Sequence, residues 1–79
     1  MAQEIKVDRV IDSRGTLCPL PVIQVNRAAK ELHPGQVLKL LATDPGSPSD
    51  IKAWARETGH KLVKTGTEDG AYVFYLQKP

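Results

Sequence analysis

Hydrophobic and polar positions change period several times along this chain, and each change marks an element. Over residues 5–11, Ile5 and Val7 alternate with Lys6 and Asp8, the period-two pattern of a half-buried strand. The alternation breaks at Arg9-Val10-Ile11, which predicts a bulge or a strand end there. Residues 12–17 read as a loop, in which Gly15 supplies a backbone angle other residues avoid. Over residues 19–32 the period becomes helical. Val22, Val25, Ala29 and Leu32 form a buried stripe, with Gln24, Arg27 and Glu31 on the opposite side. His33-Pro34-Gly35 stops this helix, because proline cannot continue it. Residues 37–43 predict a second strand with Leu38, Leu40 and Ala42 on one face, and Asp44-Pro45-Gly46 a turn. A second helix follows, with Ser47 as its cap, Pro48 at its first position and Asp50 at a capping-box spacing. Ile51, Trp54, Ala55 and Thr58 line one face of it, and Gly59 ends it. Residues 61–65 and 71–76 are the last strands, joined across Asp69-Gly70, a hairpin signal.

The order β-α-β-α-β-β predicts an α/β (α+β) fold. It is a two-layer α/β sandwich, a four-stranded mixed sheet with two helices on one face. The first β-α-β unit should be right-handed, with its strands parallel. Their C-terminal ends then emerge on one edge of the sheet, so the loop leading to Cys18 and the loop carrying Asp44 become neighbours. Reactive groups collect at such an edge in α/β folds.

Composition narrows the function. A chain of 79 residues predicts one domain, residues 1–79, with its chemistry at the surface rather than in an enclosed cavity. With 41% hydrophobic and 25% charged residues, it reads as globular rather than disordered. No apolar run approaches the roughly 20 residues of a membrane helix. Met1-Ala2-Gln3-Glu4 lacks the basic-then-apolar order of a secretory signal, so the expected location is cytoplasmic. Net charge is +2, with eleven Lys and Arg residues scattered along the chain. No basic stripe points to nucleic acid, and few aromatics are present for base stacking.

The chain has one cysteine and two histidines, His33 and His60. An intramolecular disulfide is therefore excluded, a zinc site lacks its paired ligand spacing, and no cofactor is expected. Cys18 is either an inert buried thiol or a reactive one, and its setting favours the second. In Cys18-Pro19-Leu20-Pro21, Pro19 suits the first helical position, which makes Cys18 the N-cap. A thiolate there faces free amides and the positive end of the helix dipole, which lowers its pKa. Pro21 removes a second amide and restrains Leu20, so presentation is stiff and the pKa depression moderate. Gly15 shapes the loop before the cysteine. Arg14 is placed to steer an anionic sulfur species or a partner carboxylate, and Asp44 to hydrogen-bond the Cys18 loop or a partner. By helical phase Leu20, Ile23 and Arg27 share a stripe opposite the core, an expected docking surface for a partner protein. His33 and His60 suit helix C-termini, and Trp54 suits the core.

These residues resemble the TusA/SirA-like family of small sulfur carriers. The resemblance rests on Asp12-x-x-Gly15-x-x-Cys18-Pro19-x-Pro21, then Pro34-Gly35, Thr43-Asp44-Pro45 and Gly59-His60, and it spans residues 7–76. It implies a two-layer α/β sandwich whose Cys18 carries sulfur as a persulfide, with Asp44 in a supporting role. It also implies a sulfurtransferase's partners: a donor, either a cysteine desulfurase or a rhodanese-like protein, and an acceptor protein. The acceptor would serve tRNA thiolation, molybdenum-cofactor metabolism or dissimilatory sulfur or thiosulfate metabolism. Leu20 departs from the Cys-Pro-Glu-Pro of the tRNA-thiolation branch, so the resemblance implies the carrier chemistry without naming the pathway. Two other classes compete: a small nucleic-acid-binding or regulatory module, and a thiol redox sensor. The first lacks a basic stripe and the second a resolving cysteine.

Overall fold

A computed structural model describes residues 5–17 and 19–79; residues 1–4 and Cys18 lie outside the described residues. The elements follow the expected order: β1 (Arg9–Ser13), α1 (Leu20–Ala29), β2 (Val37–Ala42), α2 (Ser47–Thr58), β3 (Lys61–Glu68) and β4 (Ala71–Gln77). The strands make one mixed sheet in the order β1-β2-β4-β3. β1 runs parallel to β2, from Arg9 against Leu38 to Ser13 against Ala42. β4 is antiparallel to β2 and to β3.

Alternation decides which face is covered. Leu38 and Leu40 of β2 and Phe74 and Leu76 of β4 point to one side of the pleat, where they meet both helices. Val25, Ala28 and Ala29 come from α1, and Ile51, Trp54 and Ala55 from α2. Burying each of the larger aliphatic side chains contributes about 1.5–3 kcal/mol, so this layer supplies most of the stabilisation. The result is the two-layer sandwich, with both helices on one face.

Several boundaries move from their predicted places, each for a tertiary reason. β1 occupies Arg9–Ser13 rather than residues 5–11. Asp8 anchors its start twice: its N–H donates to the Val37 carbonyl at 2.9 Å, and its carboxylate accepts the Val37 N–H at 2.9 Å. At its end, Ser13 is polar and reads as loop, yet it is fully buried opposite Ala42 because Gln24 of α1 accepts its hydroxyl.

α1 ends at Ala29 rather than Leu32. The chain tightens there, with the Glu31 and Leu32 N–H groups reaching back three residues to the Ala28 and Ala29 carbonyls, and the Lys78 ammonium adds a second bond to the Ala29 carbonyl at 2.6 Å. α2 starts one residue early. Gly46 occupies the N-cap and Ser47 is the first helical residue, buried and without a capping bond. The Asp44 carboxylate takes the Gly46 N–H at 3.0 Å instead. Gly59 ends α2 with φ of 78°, as expected. β3 extends to Glu68 because the Asp69-Gly70 turn, with φ of 49° and 81°, needs only two residues.

Trp54 is buried, as predicted, and donates its indole N–H to Asn26. Its ring lies 4.5 Å from that of His60, whose Nδ1 meets the Thr58 hydroxyl at 2.8 Å.

Two outcomes follow from this packing. Leu40 is fully buried in the cluster. Leu40→Ala should cost about 2–5 kcal/mol of stability, read as a lower midpoint in urea unfolding. The His60 pKa is pushed below its ordinary value, first by burial against Trp54 and then by the nearby Lys78 charge. The unfolded chain therefore binds this proton first as pH falls, so stability is full above about pH 6.5 and declines below it. The melting temperature should drop between pH 7.5 and 5.5 by less in His60→Gln than in the parent chain.

Candidate functional site

The parallel pairing of β1 and β2 delivers two loops to one sheet edge: residues 14–19 after β1 and residues 43–46 after β2. Among the described residues one hydrogen bond ties them, from the Gly15 N–H to Thr43 Oγ1 at 2.9 Å. Gly15 has φ of 81°, and no heavy atom lies within 4 Å of where its Cβ would be. Glycine is therefore needed here for the backbone angle and not for space. Thr16 closes the turn behind it, donating its hydroxyl to the Ser13 carbonyl at 2.7 Å and its N–H to the same oxygen at 3.2 Å.

Asp12 and Arg14 form the charged part of this edge. The Arg14 Nε and Nη2 donate to the two Asp12 carboxylate oxygens at 2.9 and 2.8 Å, and the Arg14 backbone N–H donates to Oδ1 at 3.1 Å. These bonds lower the Asp12 pKa to about 2, the guanidinium contributing most, and raise that of Arg14. The pair stays ionised, and the guanidinium keeps its remaining N–H groups at the surface.

Cys18 was expected to be the N-cap of α1; the structure gives that position to Pro19. The helix begins at Leu20, with Pro19 at φ of −97° and ψ of 15°, outside the helical region, and Pro21 in the first turn. The Leu20 N–H donates to the Leu17 carbonyl at 3.0 Å, a turn of its own before the helix, and the Ile23 N–H donates to the Pro19 carbonyl at 3.1 Å. That shift matters electrostatically. Pro21 contributes no N–H, and the Leu20 and Ile23 amides already have carbonyl partners, so the helix end offers fewer donors than the sequence suggested. Pro21 is itself fully buried, so it anchors the first turn to the interior as well as stiffening it.

Around this segment the surface is apolar. Leu17 is 74% exposed, Leu20 39% and Ile23 46%. Leu20, Ile23 and Arg27 fall at i, i+3 and i+7 on the solvent side of α1, as the helical phase predicted. Beside them a shallow groove runs between the helices from Pro19, floored by Val22, Ala53 and Trp54 and rimmed by Asp50 and Glu57. It continues past Ile23 to Arg27 and Lys30.

The structure thus gathers Arg14, Gly15, Pro19 and Leu20 at one edge, with Ile23 and Arg27 further along α1. Asp44 lies at the same edge, and among the described residues it makes no bond to the loop after β1. Its carboxylate and carbonyl shape its own turn, accepting the Gly46 and Ser47 N–H groups. Thr43 makes the bridge found among the described residues, and nothing in its sequence context marked it. Leu17 was also missed, although a large apolar residue in an otherwise polar loop was a readable signal. Among the described residues, no three His, Asp or Glu side chains gather as metal ligands, and no helix is long and apolar enough to cross a membrane.

Comparison with known proteins agrees with this geometry. The family model described as sulfurtransferase TusA matches residues 9–78. A putative sulfur carrier protein of Aquifex aeolicus is 41% identical over 76 residues, which is 96% of this chain and 39% of that protein. The putative sulfur carrier protein YrkI of Bacillus subtilis is 38% identical over 94% of this chain and 99% of its own. The sulfur carrier protein TusA of Allochromatium vinosum is 38% identical over 90% and 93%. This chain therefore spans less than half of the Aquifex relative and nearly all of the other two. The crystal structure of a SirA-like protein from Desulfitobacterium hafniense superposes with a TM-score of 0.78 at 25% identity, covering 87% of this chain and 95% of that one. The match begins with β1 and runs through β4, and this chain belongs to the TusA sulfurtransferase family.

Proposed function

We propose that this protein is a sulfur carrier that holds a sulfane sulfur as a persulfide on Cys18 and passes it between proteins. The observation that supports this most is the placement of the flanking residues. In a member of this family, the chain's one cysteine sits in Cys18-Pro19-Leu20-Pro21, between the exposed Leu17 and the exposed Pro19. Curated relatives over this length are named sulfur carriers.

The chemistry is two nucleophilic displacements. The Cys18 thiolate attacks the outer sulfur of a donor persulfide. A new S–S bond forms on Cys18, the donor's S–S bond breaks, and the donor leaves as a thiolate. An acceptor thiolate then attacks the outer sulfur of the Cys18 persulfide, and Cys18 leaves as a thiolate in turn. No net oxidation occurs, and neither step requires a metal or an organic cofactor. A moderate thiolate bias suits a group that must both attack and leave.

Arg14 adds positive charge at this edge and attracts the anionic persulfide or a carboxylate of the partner protein. Gly15, Pro19 and Pro21 hold the segment, and Asp44 supports the neighbouring turn. Leu20, Ile23 and Arg27 form the surface on which the donor (a cysteine desulfurase or a rhodanese-like protein) and the acceptor dock in turn.

Incubation with a persulfide donor, followed by non-reducing intact-mass spectrometry, should show a gain of one sulfur atom that reductant removes and Cys18→Ser abolishes. No gain in the parent chain refutes the reading. The double variant Leu20→Ser, Ile23→Ser should slow sulfur transfer from a protein donor by about tenfold or more, as loss of interface anchors does. Loading from inorganic polysulfide, which needs no docking, should be unchanged.

A further inference from the structure

We propose that the outer edge of β3 pairs antiparallel with the same edge of a second copy of this chain, in a register centred on Gly66. β3 ends the sheet, and seven of its eight residues are exposed. Among the described residues, no loop or terminus covers its outer backbone edge with hydrogen bonds. Such a row of unmet donors and acceptors is a template for another strand.

The direction of these groups follows from the hairpin. Asp69 and Gly70, both at positive φ, make a two-residue type I′ loop closed by the Glu68–Ala71 pair. The residues of the closing pair bond one another, and bonded pairs alternate along an antiparallel ladder. Glu68, Gly66 and Lys64 therefore turn their N–H and C=O groups to β4, and Thr65 and Thr67 turn theirs outward.

A two-fold contact centred on Gly66 sets Thr65 against Thr67 of the second copy, and Thr67 against its Thr65. Every outward backbone group in this stretch is then met. The same register sets Lys64 against Glu68 of the second copy, twice by symmetry, on the sheet face away from the helices. Opposed charges and Thr–Thr pairs are favourable cross-strand neighbours, and Gly66 meeting Gly66 adds no clash. Centring the contact on Thr65 or on Thr67 also uses the outward groups, but sets Lys64 against Gly66 or Gly70 and loses both charge pairs. The charges thus select one register, and they select a second copy of this chain as the occupant. Lys39 already lies 3.1 Å from Glu68, so the paired sheets would carry a Lys-Glu-Lys row at each end of the contact.

The irregularity between Leu62 and Lys64 confines pairing to residues 64–68, which makes the association weak and reversible. β1 and the loop that follows it lie at the other end of the strand order, so pairing leaves that loop uncovered. The inference stands independently of the sulfur chemistry.

Sedimentation equilibrium under reducing conditions tests it. The parent chain should show reversible dimers at about 1 mM, where weak association becomes visible. Lys64→Glu alone and Glu68→Lys alone should each weaken dimerisation by about tenfold or more, because like charges then oppose across the contact. An equimolar mixture of these two variants should recover dimers, since each supplies the charge the other lacks. Thr67→Pro removes an outward N–H without touching the β4 ladder and should give a folded monomer by circular dichroism. A parent chain that stays monomeric at that concentration, dimers indifferent to both charge variants, or a mixture that stays monomeric would overturn the proposal.

Discussion

The parallel pairing of β1 with β2 is the constraint on which the rest depends. Two parallel strands cannot be joined by a tight turn, so the chain must cross back over the sheet, and α1 is that crossing. Both strands then release their chains at the same sheet edge. The Gly15–Thr43 bond fastens the two loops where they meet, and the double Asp8–Val37 contact holds the opposite end of the pairing. Without this register, the segment around Cys18 would have no fixed relation to the turn at Asp44.

The segment is anchored from beneath rather than enclosed. Pro21 and Ser13 are buried, and the Ser13 hydroxyl finds its acceptor on Gln24 of α1. These contacts fix the first turn of α1 to the sheet, while Leu17, Leu20 and Ile23 remain at the surface. A chain of 79 residues has little material with which to wall off a reactive group. Under the proposed role this is an advantage, because an exposed apolar rim lets the protein that docks there exclude water during transfer.

The two sheet edges are managed differently. β1 is five residues long, and the ion pair of Arg9 with Glu31 ties it to the turn that follows α1. β3 is longer and almost wholly exposed, protected by lysines and by its irregularity near Val63. Those devices discourage indiscriminate pairing along a strand. They leave one short stretch, Lys64 to Glu68, whose charge order is its own complement.

Much of the architecture was written in local pattern. Helical spacing, the Pro and Gly punctuation at 34–35, 45–46 and 59, and the Asp69-Gly70 turn specify the element order and, through it, the mixed sheet and the covered face. The solvent-facing stripe of Leu20, Ile23 and Arg27 was equally legible, since it needs only 3.6-residue geometry. What local pattern could not decide were features set by partners distant in sequence. Ser13 looks like a loop residue until Gln24 answers its hydroxyl, and Thr43 looks like any strand-end threonine until Gly15 approaches it. The helix starts at Leu20, one residue later than the motif suggested, and the Leu20 amide is taken by the Leu17 carbonyl in a turn of its own. By itself the sequence determined which residues could be strands, helices and chemistry; the tertiary structure decided which of them meet, because hydrogen bonds between remote segments form only after the chain has crossed the sheet.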